Sequence, residues 1–452
     1  MTKNTKLNEL VNNSWLHFYQ MNNITSSDYI NPLIVKGDDI YLFDANGKKY
    51  IDGISGAYCV NIGYGRKRVI NAIAEASSKV HYVSPFSAAN TYAVELARQL
   101  SILASSTVGD NSRVFFVNSG AEAVETAVKI ARAYSYRTKS PNSHKVICRD
   151  GAYHGATFGT MSFSGYADTV KEFGPALSGV LHAPNTNCTK CPLGLTHPSC
   201  KLECANQIFN ILKQGNPLDF SAVLIEPADT GSGVISPPLS YLQKVSDICK
   251  STNTLLLLDE VITGFGRLGQ WFGAEHFGIK ADILICAKGL TSGYDSLAAV
   301  IVSQRVADVF LGDDSKMFKN GSTFGGRPGA AAAALENIKI YEEEKLLQNS
   351  QSISRYLINL LKAELKNLDI VKNINNEGML FNVEINSSQP EQVKSIRRRL
   401  INNGLITSLY YGRNSTDIHL APPLTLNTKQ ADIIVYVLLN SLKAEASSVL
   451  SH

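Results

Sequence analysis

The sequence predicts an α/β fold, with a large domain built on a mostly parallel sheet between helices and a smaller α+β domain. Three observations lead there. The runs Ala222–Ile225 (AVLI), Leu255–Leu258 (LLLL) and Ile283–Ala287 (ILICA) are apolar without alternation. Strands covered on both faces read this way, as they do in parallel sheets between helices. Helical patterns over Ala121–Tyr134 and Tyr241–Lys250 follow the apolar runs Arg113–Asn118 and Ala222–Ile225, which is the rhythm of strand–helix–strand crossovers. After Pro328 the pattern becomes helical (Ala330–Glu344, then Ser352–Asn367). Short strands near Met379–Ile385 and Ile418–Leu420 and a last helix near Thr428–Ala444 close the chain.

The remaining elements follow in order. Residues 40–52 (IYLFDANGKKYID) read as two short strands around Asn46-Gly47, the dipeptide a tight hairpin turn favours. Residues 1–58 are assigned to the small domain as its N-terminal segment, 59–330 to the large domain and 331–452 to the C-terminal small domain. The 452 residues suffice for two such units, and no repeat period or low-complexity tract interrupts them.

Composition excludes several classes. With 44% hydrophobic and 18% charged residues, the chain is neither collagen-like, coiled-coil nor disordered. Its net charge of +4 is spread without a Lys/Arg block, so no nucleic acid and no membrane surface is expected as a partner. The longest apolar runs, such as Leu297–Val302, fall far short of the ~20 residues of a spanning helix. The polar start, Met1–Val11, has no signal-type apolar core, and a cytoplasmic location is the default. Eight cysteines are too sparse for a disulfide scaffold. Four cluster as Cys188-x2-Cys191-x8-Cys200-x3-Cys204, a spacing compatible with zinc. Thiols without metal are the expectation for them.

Three positions carry candidate chemistry. Lys288, in ILICAKGL, directly follows an apolar strand. Alone it reads as a solvated strand-end lysine; in apolar surroundings its amine stays neutral, as a Schiff-base lysine requires. Asp259, in LLLLDEV, ends another buried run. It serves as a turn or cap residue, or keeps a buried ring nitrogen protonated. Ligands of open α/β sheets bind at the carboxyl ends of strands, so the two positions point at one crevice. Asn118-Ser119-Gly120-Ala121-Glu122 opens a helix. Ser119 and Glu122 form an S-x-x-E capping box, and the same helix start leaves amides free for a phosphate.

Together these segments resemble the class III pyridoxal-phosphate-dependent aminotransferases of fold type I over nearly the whole chain. The matching stretches are NSGAEAVETAVKIAR (118–132), AYHG (152–155), IEP (225–227), residues 255–294 and GSTFGGRPGAAAA (321–333). The resemblance implies pyridoxal 5′-phosphate as cofactor, carried covalently by Lys288 in the large domain, with Asp259 paired to its ring nitrogen. Val261 and Tyr153 pack on the two ring faces, and His154 and Glu226 lie near the cofactor. Ser119, Gly120 and Ala121 cradle the phosphate. Thr323 reaches the phosphate of the other subunit, which implies a homodimer.

The implied reaction is ping-pong transamination, in which Lys288 moves the Cα proton. The segment Ser55–Arg66 is similar to the pocket of pyruvate-dependent ω-aminotransferases, with Tyr58 where those enzymes usually have Trp. An ω-amino acid or amine donor is expected, with a small keto acid as acceptor, pyruvate first and 2-oxoglutarate next. Tyr58 lines the donor pocket or is a half-buried core tyrosine. Arg413 is the candidate for the mobile arginine that grips substrate carboxylates, or a solvated loop residue. Further departures are Arg327 in place of His, Ser296 in place of Pro and Asp229 in place of Gln. Racemases, epimerases and aminomutases share the fold, cofactor and lysine, and a non-catalytic cofactor-binding protein is the remote alternative.

Overall fold

The computed structural model describes residues 13–20, 31–231, 233–386, 389–411 and 416–449. Arg413 lies outside them. In chain order the strands are β1 (Ile34–Asp38), β2 (Tyr41–Asp44), β3 (Lys49–Asp52), β4 (Arg113–Val117), β5 (Lys145–Arg149), β6 (Val180–Ala183), β7 (Phe220–Ile225) and β8 (Leu255–Asp259). They continue as β9 (Ile283–Cys286), β10 (Ala298–Val302), β11 (Val371–Glu377), β12 (Leu380–Ile385), β13 (Leu405–Ile406), β14 (Ser408–Tyr411) and β15 (Thr416–Leu420).

Seven strands form the central sheet, in the order β4-β10-β9-β8-β7-β5-β6. Pairing is parallel from β9 to β6, while β10 runs antiparallel to both β9 and β4. The unbroken apolar runs follow from double-sided burial. Leu256, Leu258, Leu284 and Cys286 face one hydrophobic core, and Leu255, Leu257, Ile283 and Ile285 face the other. Side chains alternate along a strand, so a sheet covered on both faces needs an apolar residue at every position. Each fully buried Leu or Ile contributes roughly 1.5–3 kcal/mol relative to exposure.

The helix Gly120–Thr138 covers one face through Ala123, Val124, Ala127, Val128 and Ala131. The small residues in that series let it approach the strands closely.

Two four-stranded sheets flank the centre. One, β11-β12-β15-β14, is antiparallel throughout. The other has the order β1-β2-β3-β13, and its last pairing is parallel, Leu405 beside Ile51. The Asn46-Gly47 hairpin stands between β2 and β3, with Gly47 at φ 81°. Asp44 holds the turn by accepting the amides of Asn46 and Lys48 at 2.8 and 3.0 Å. The two helices expected after Pro328 span Pro328–Glu343 and Leu346–Leu365. Among the described residues, no helix is long and apolar enough to cross a membrane.

Candidate active site

The parallel strands β7, β8 and β9 end side by side. At their carboxyl ends lies a cleft of about 820 Å³, whose walls include Gly120, Ala121, Tyr153, Glu226, Asp259 and Lys288. His154 and Val261 also line it. Eight of the residues that sequence reasoning selected therefore meet in one hollow.

Asp259 closes β8 and is only 4% exposed. Its Oδ2 lies 2.7 Å from Nδ1 of His154, and its Oδ1 accepts the Val261 amide at 3.1 Å. An ionised carboxylate can only accept, and toward it His154 Nδ1 is the donor. His154 is itself buried, and its Nε2 has no hydrogen-bond partner among the described residues. The His154 amide donates to Ser164 Oγ at 2.9 Å, which fixes the ring's backbone. The Tyr-His-Gly motif thus delivers a histidine to Asp259, which lines the cleft.

Lys288 follows β9 with φ 45°, in the left-handed region. Non-glycine residues there carry strain of about 1–3 kcal/mol and persist only where their surroundings hold them. Burial pulls the amine below the usual lysine range. Its Nζ lies 5.2 Å from the centre of the Tyr58 ring.

Glu226, just past β7, is pushed well up by burial and then by the nearby Asp229 and Asp259 carboxylates. Its Oε1 accepts the Tyr153 amide at 2.9 Å, while Oε2 has no partner among the described residues. Tyr153 is 40% exposed, and its ring meets Tyr166 edge-on at 6.3 Å.

At the helix start, Ser119 Oγ accepts the Glu122 amide at 3.2 Å. The reciprocal half of the capping box is displaced by one residue, since Glu122 accepts the Asn118 amide at 2.8 Å instead of that of Ser119. The first-turn amides of a helix have no intrahelical acceptor, and here Gly120 and Ala121 line the cleft. A Cβ on Gly120 would sit 3.1 Å from Val261 Cγ1. Gly155, at φ 128°, admits the same closeness from the other side: a Cβ there would meet that of Ala121 at 2.7 Å.

Thr323 does not line the cleft. It is exposed on a loop that Ser322 anchors by accepting from Asn118 Nδ2 at 2.8 Å. Tyr58 is not among the residues that line the cleft; it is buried, 6% exposed, with its hydroxyl 3.0 Å from Nδ1 of His419. Burial, then the Tyr410 hydroxyl, raise the Tyr58 hydroxyl well above the ordinary tyrosine range. His419 is buried and lowered to about 3, so it is neutral.

Two of the departures noted in sequence are coupled: Arg327 donates to Asp295 at 2.6 Å, and the Ser296 amide donates to the same oxygen at 2.7 Å. Asp229 is buried and accepts the Gly231 amide at 2.8 Å.

Sequence reasoning did not find Thr230, Ile262 and Thr263, which also line the cleft. Nor did it find Arg267, a fully buried guanidinium that donates to Pro422 O at 2.6 Å and to Asn61 Oδ1. Its only signal was a charged residue inside the glycine-rich GFGRLG.

The "Aminotransferase class-III" family matches residues 24–442. A "probable aminotransferase" of Mycobacterium tuberculosis is 36% identical over 95% of this chain and 93% of its own. A taurine–pyruvate aminotransferase of Rhodobacter capsulatus is 34% identical over 82% and 80%. Among solved structures, an (S)-enantioselective ω-transaminase of Thermomicrobium roseum superposes with a TM-score of 0.92, at 29% identity, covering 98% of this chain and 99% of that one. The fold and the match along almost the whole length give one conclusion: the chain belongs to the class III aminotransferases.

Proposed function

We propose that the chain binds pyridoxal 5′-phosphate in the cleft and moves an amino group from an ω-amino acid or amine donor to a small keto acid, pyruvate first. One observation carries the reading: Lys288 and Asp259 end neighbouring strands and face one hollow, the amine drawn toward neutrality and the carboxylate backed by His154.

The residues present fit the cofactor. The narrow gap at Gly120, where a Cβ would press on Val261, brings the helix amides close to a phosphate at the positive helix end. Ser119, Gly120 and Ala121 would hold that phosphate, Val261 and Tyr153 would cover the ring, and Asp259 would keep the ring nitrogen protonated. When bound, the cofactor supplies an aldehyde that takes up amines and a ring that withdraws electrons.

The chain's own groups do the rest. Burial lowers the Lys288 amine from the usual lysine range, which favours its neutral form, so Nζ acts as a nucleophile and carries the Cα proton of the donor. The His154 bond holds the Asp259 carboxylate in one orientation. Burial, then the nearby Asp229 and Asp259 carboxylates, pushes Glu226 well up, which disfavours a second negative charge beside Asp259. The exposed Thr323 suits a residue that completes the cleft of a second copy, and we infer a homodimer. Pyruvate as acceptor is supported by the taurine–pyruvate aminotransferases among the relatives.

The test is to load the protein with cofactor and titrate it with amines and ω-amino acids in the absence of keto acid, following the cofactor's visible absorption. A donor that converts the cofactor to its amine form, reversed by pyruvate, establishes the reaction. Racemisation of a donor with no such conversion would replace it with racemase chemistry. Failure to bind the cofactor overturns the reading altogether.

A further inference from the structure

Arg267 is fully buried, yet each of its acceptors is uncharged. Nη1 donates to the Pro422 carbonyl at 2.6 Å, and Nη2 donates to Asn61 Oδ1 and, at 3.3 Å, to Ser55 Oγ. Nε has no partner among the described residues. A buried charge is costly to keep, and replacing buried ionic groups with apolar residues of like volume is often neutral or stabilising. Stability alone therefore gives no reason for a guanidinium here.

What Arg267 touches leads to Lys288 by two routes. The first runs through Asn61, whose Nδ2 donates to the Phe265 carbonyl at 2.9 Å. Held at both ends, this amide packs on the residue after Lys288: a Cβ on Gly289 would stand 2.5 Å from Asn61 Nδ2. The second runs through Ser55, whose hydroxyl donates to the Ala421 carbonyl at 2.6 Å. Ser55 and Tyr58 both have left-handed backbone, at φ 50° and 62°, and Gly56 between them stands at 69°. Asp52 fastens the same turn by accepting the Ile54 and Gly56 amides at 3.1 and 2.6 Å. The turn carries Tyr58, whose ring centre lies 5.2 Å from Lys288 Nζ. Lys288 is itself left-handed, at φ 45°. Strained backbone of this kind persists only where its surroundings over-determine it, and it gathers at functional sites. Arg267 is common to both routes.

We propose that Arg267 is a positioning residue, which acts through Asn61 and the Ser55–Tyr58 turn to fix Lys288 in the cleft. The inference rests on Lys288 being the amine that moves the proton. The guanidinium also acts through its charge. Burial first lowers the Lys288 amine; Cys59, Asp259 and Glu226 then raise it, and Arg267 lowers it again. A neighbouring cation disfavours a second positive charge, so the residue that places the amine also favours its neutral form.

The test labels the cofactor-free, full-length protein with formaldehyde and cyanoborohydride over a range of pH, and counts the modified Lys288 peptide by mass spectrometry. Only the neutral amine reacts, so the midpoint of the rate profile reports its protonation. In Arg267→Met the midpoint should rise by about one pH unit and the rate at neutral pH should fall about tenfold, because a like charge has gone. Arg267→Lys keeps the cation without the planar fork. It should keep the wild-type midpoint, while the cofactor-loaded enzyme shows kcat about tenfold lower at unchanged KM, as misplacement of a reacting group predicts. Should Arg267→Met not fold, Asn61→Ala decides: it must slow Lys288 labelling severalfold at a wild-type midpoint. Labelling unchanged in Arg267→Met, or failing that in Asn61→Ala, with only the melting temperature lowered, overturns the proposal. Because the labelling needs no cofactor, its result stands apart from whether amino transfer is the reaction.

Discussion

Replacing His154 with alanine removes the side chain that hydrogen-bonds Asp259 Oδ2. The ring is buried, and its Nδ1–Oδ2 bond is 2.7 Å long. Hydrogen bonds to charged groups are worth about 1.5–3 kcal/mol. At about 2 kcal/mol, and about 1.4 kcal/mol per factor of ten, the loss is roughly 30-fold. It should appear in cofactor affinity, in kcat/KM, or be shared between them, because the carboxylate loses its orientation without losing its charge. The assay is titration of the cofactor-free protein with pyridoxal 5′-phosphate, followed by kinetics at saturating cofactor. Asp259→Asn supplies the second corner of a double-mutant cycle, in which the two changes should couple by about 1–2 kcal/mol. A His154→Ala protein that is merely less heat-stable, with affinity and kcat/KM unchanged and no coupling to Asp259→Asn, would reduce His154 to packing and refute the positioning argument.

Three further outcomes follow from the same geometry. Lys288→Ala and Thr323→Ala chains, each inactive or nearly so alone, should regain about a quarter of wild-type activity when refolded together in equal amounts, since hybrid dimers hold one intact site; no recovery would remove Thr323 from the partner's cleft. Gly120→Ala should weaken cofactor binding about tenfold, close to 1.4 kcal/mol, because its Cβ would press on Val261; circular dichroism should show the fold retained. His419 is lowered to about 3 by burial, against ~6.5 when unfolded. Below pH ~6.5 the unfolded chain therefore takes up this proton first, and stability falls with pH down to about 3, at about 1.4 kcal/mol per pH unit from this group. Urea unfolding at pH 6.5 and 5.5 should show that slope reduced in His419→Leu, and an unchanged slope would dismiss the linkage.

The parts legible in sequence are those where local chemistry is unambiguous. The LLLL and ILICA runs announce double-sided burial, and the residue after each such strand opens on the cleft. The antiparallel course of β10 was invisible, because an apolar run reads the same in either direction. Strand β5, flanked by Lys145 and Arg149, hides its burial behind two charged ends. The His154–Asp259 bond joins residues 105 positions apart, and no local pattern marks it. The seat of Tyr58 depends on His419, a lone histidine in a strand. A buried polar pair of that kind follows from three-dimensional proximity and leaves no periodic trace.

The pairing of β3 with β13 has a consequence for synthesis. Lys48, next to β3, donates to the Asn402 carbonyl at 2.9 Å across a separation of 354 residues. At ~5–20 residues per second, a ribosome needs roughly 20–70 s to deliver that partner. Throughout that interval the hairpin presents an open strand edge, the kind of template on which chains join one another. Crowded, nascent chains are therefore where association through this sheet is most favoured, and the arrival of β13 is the event that closes the edge.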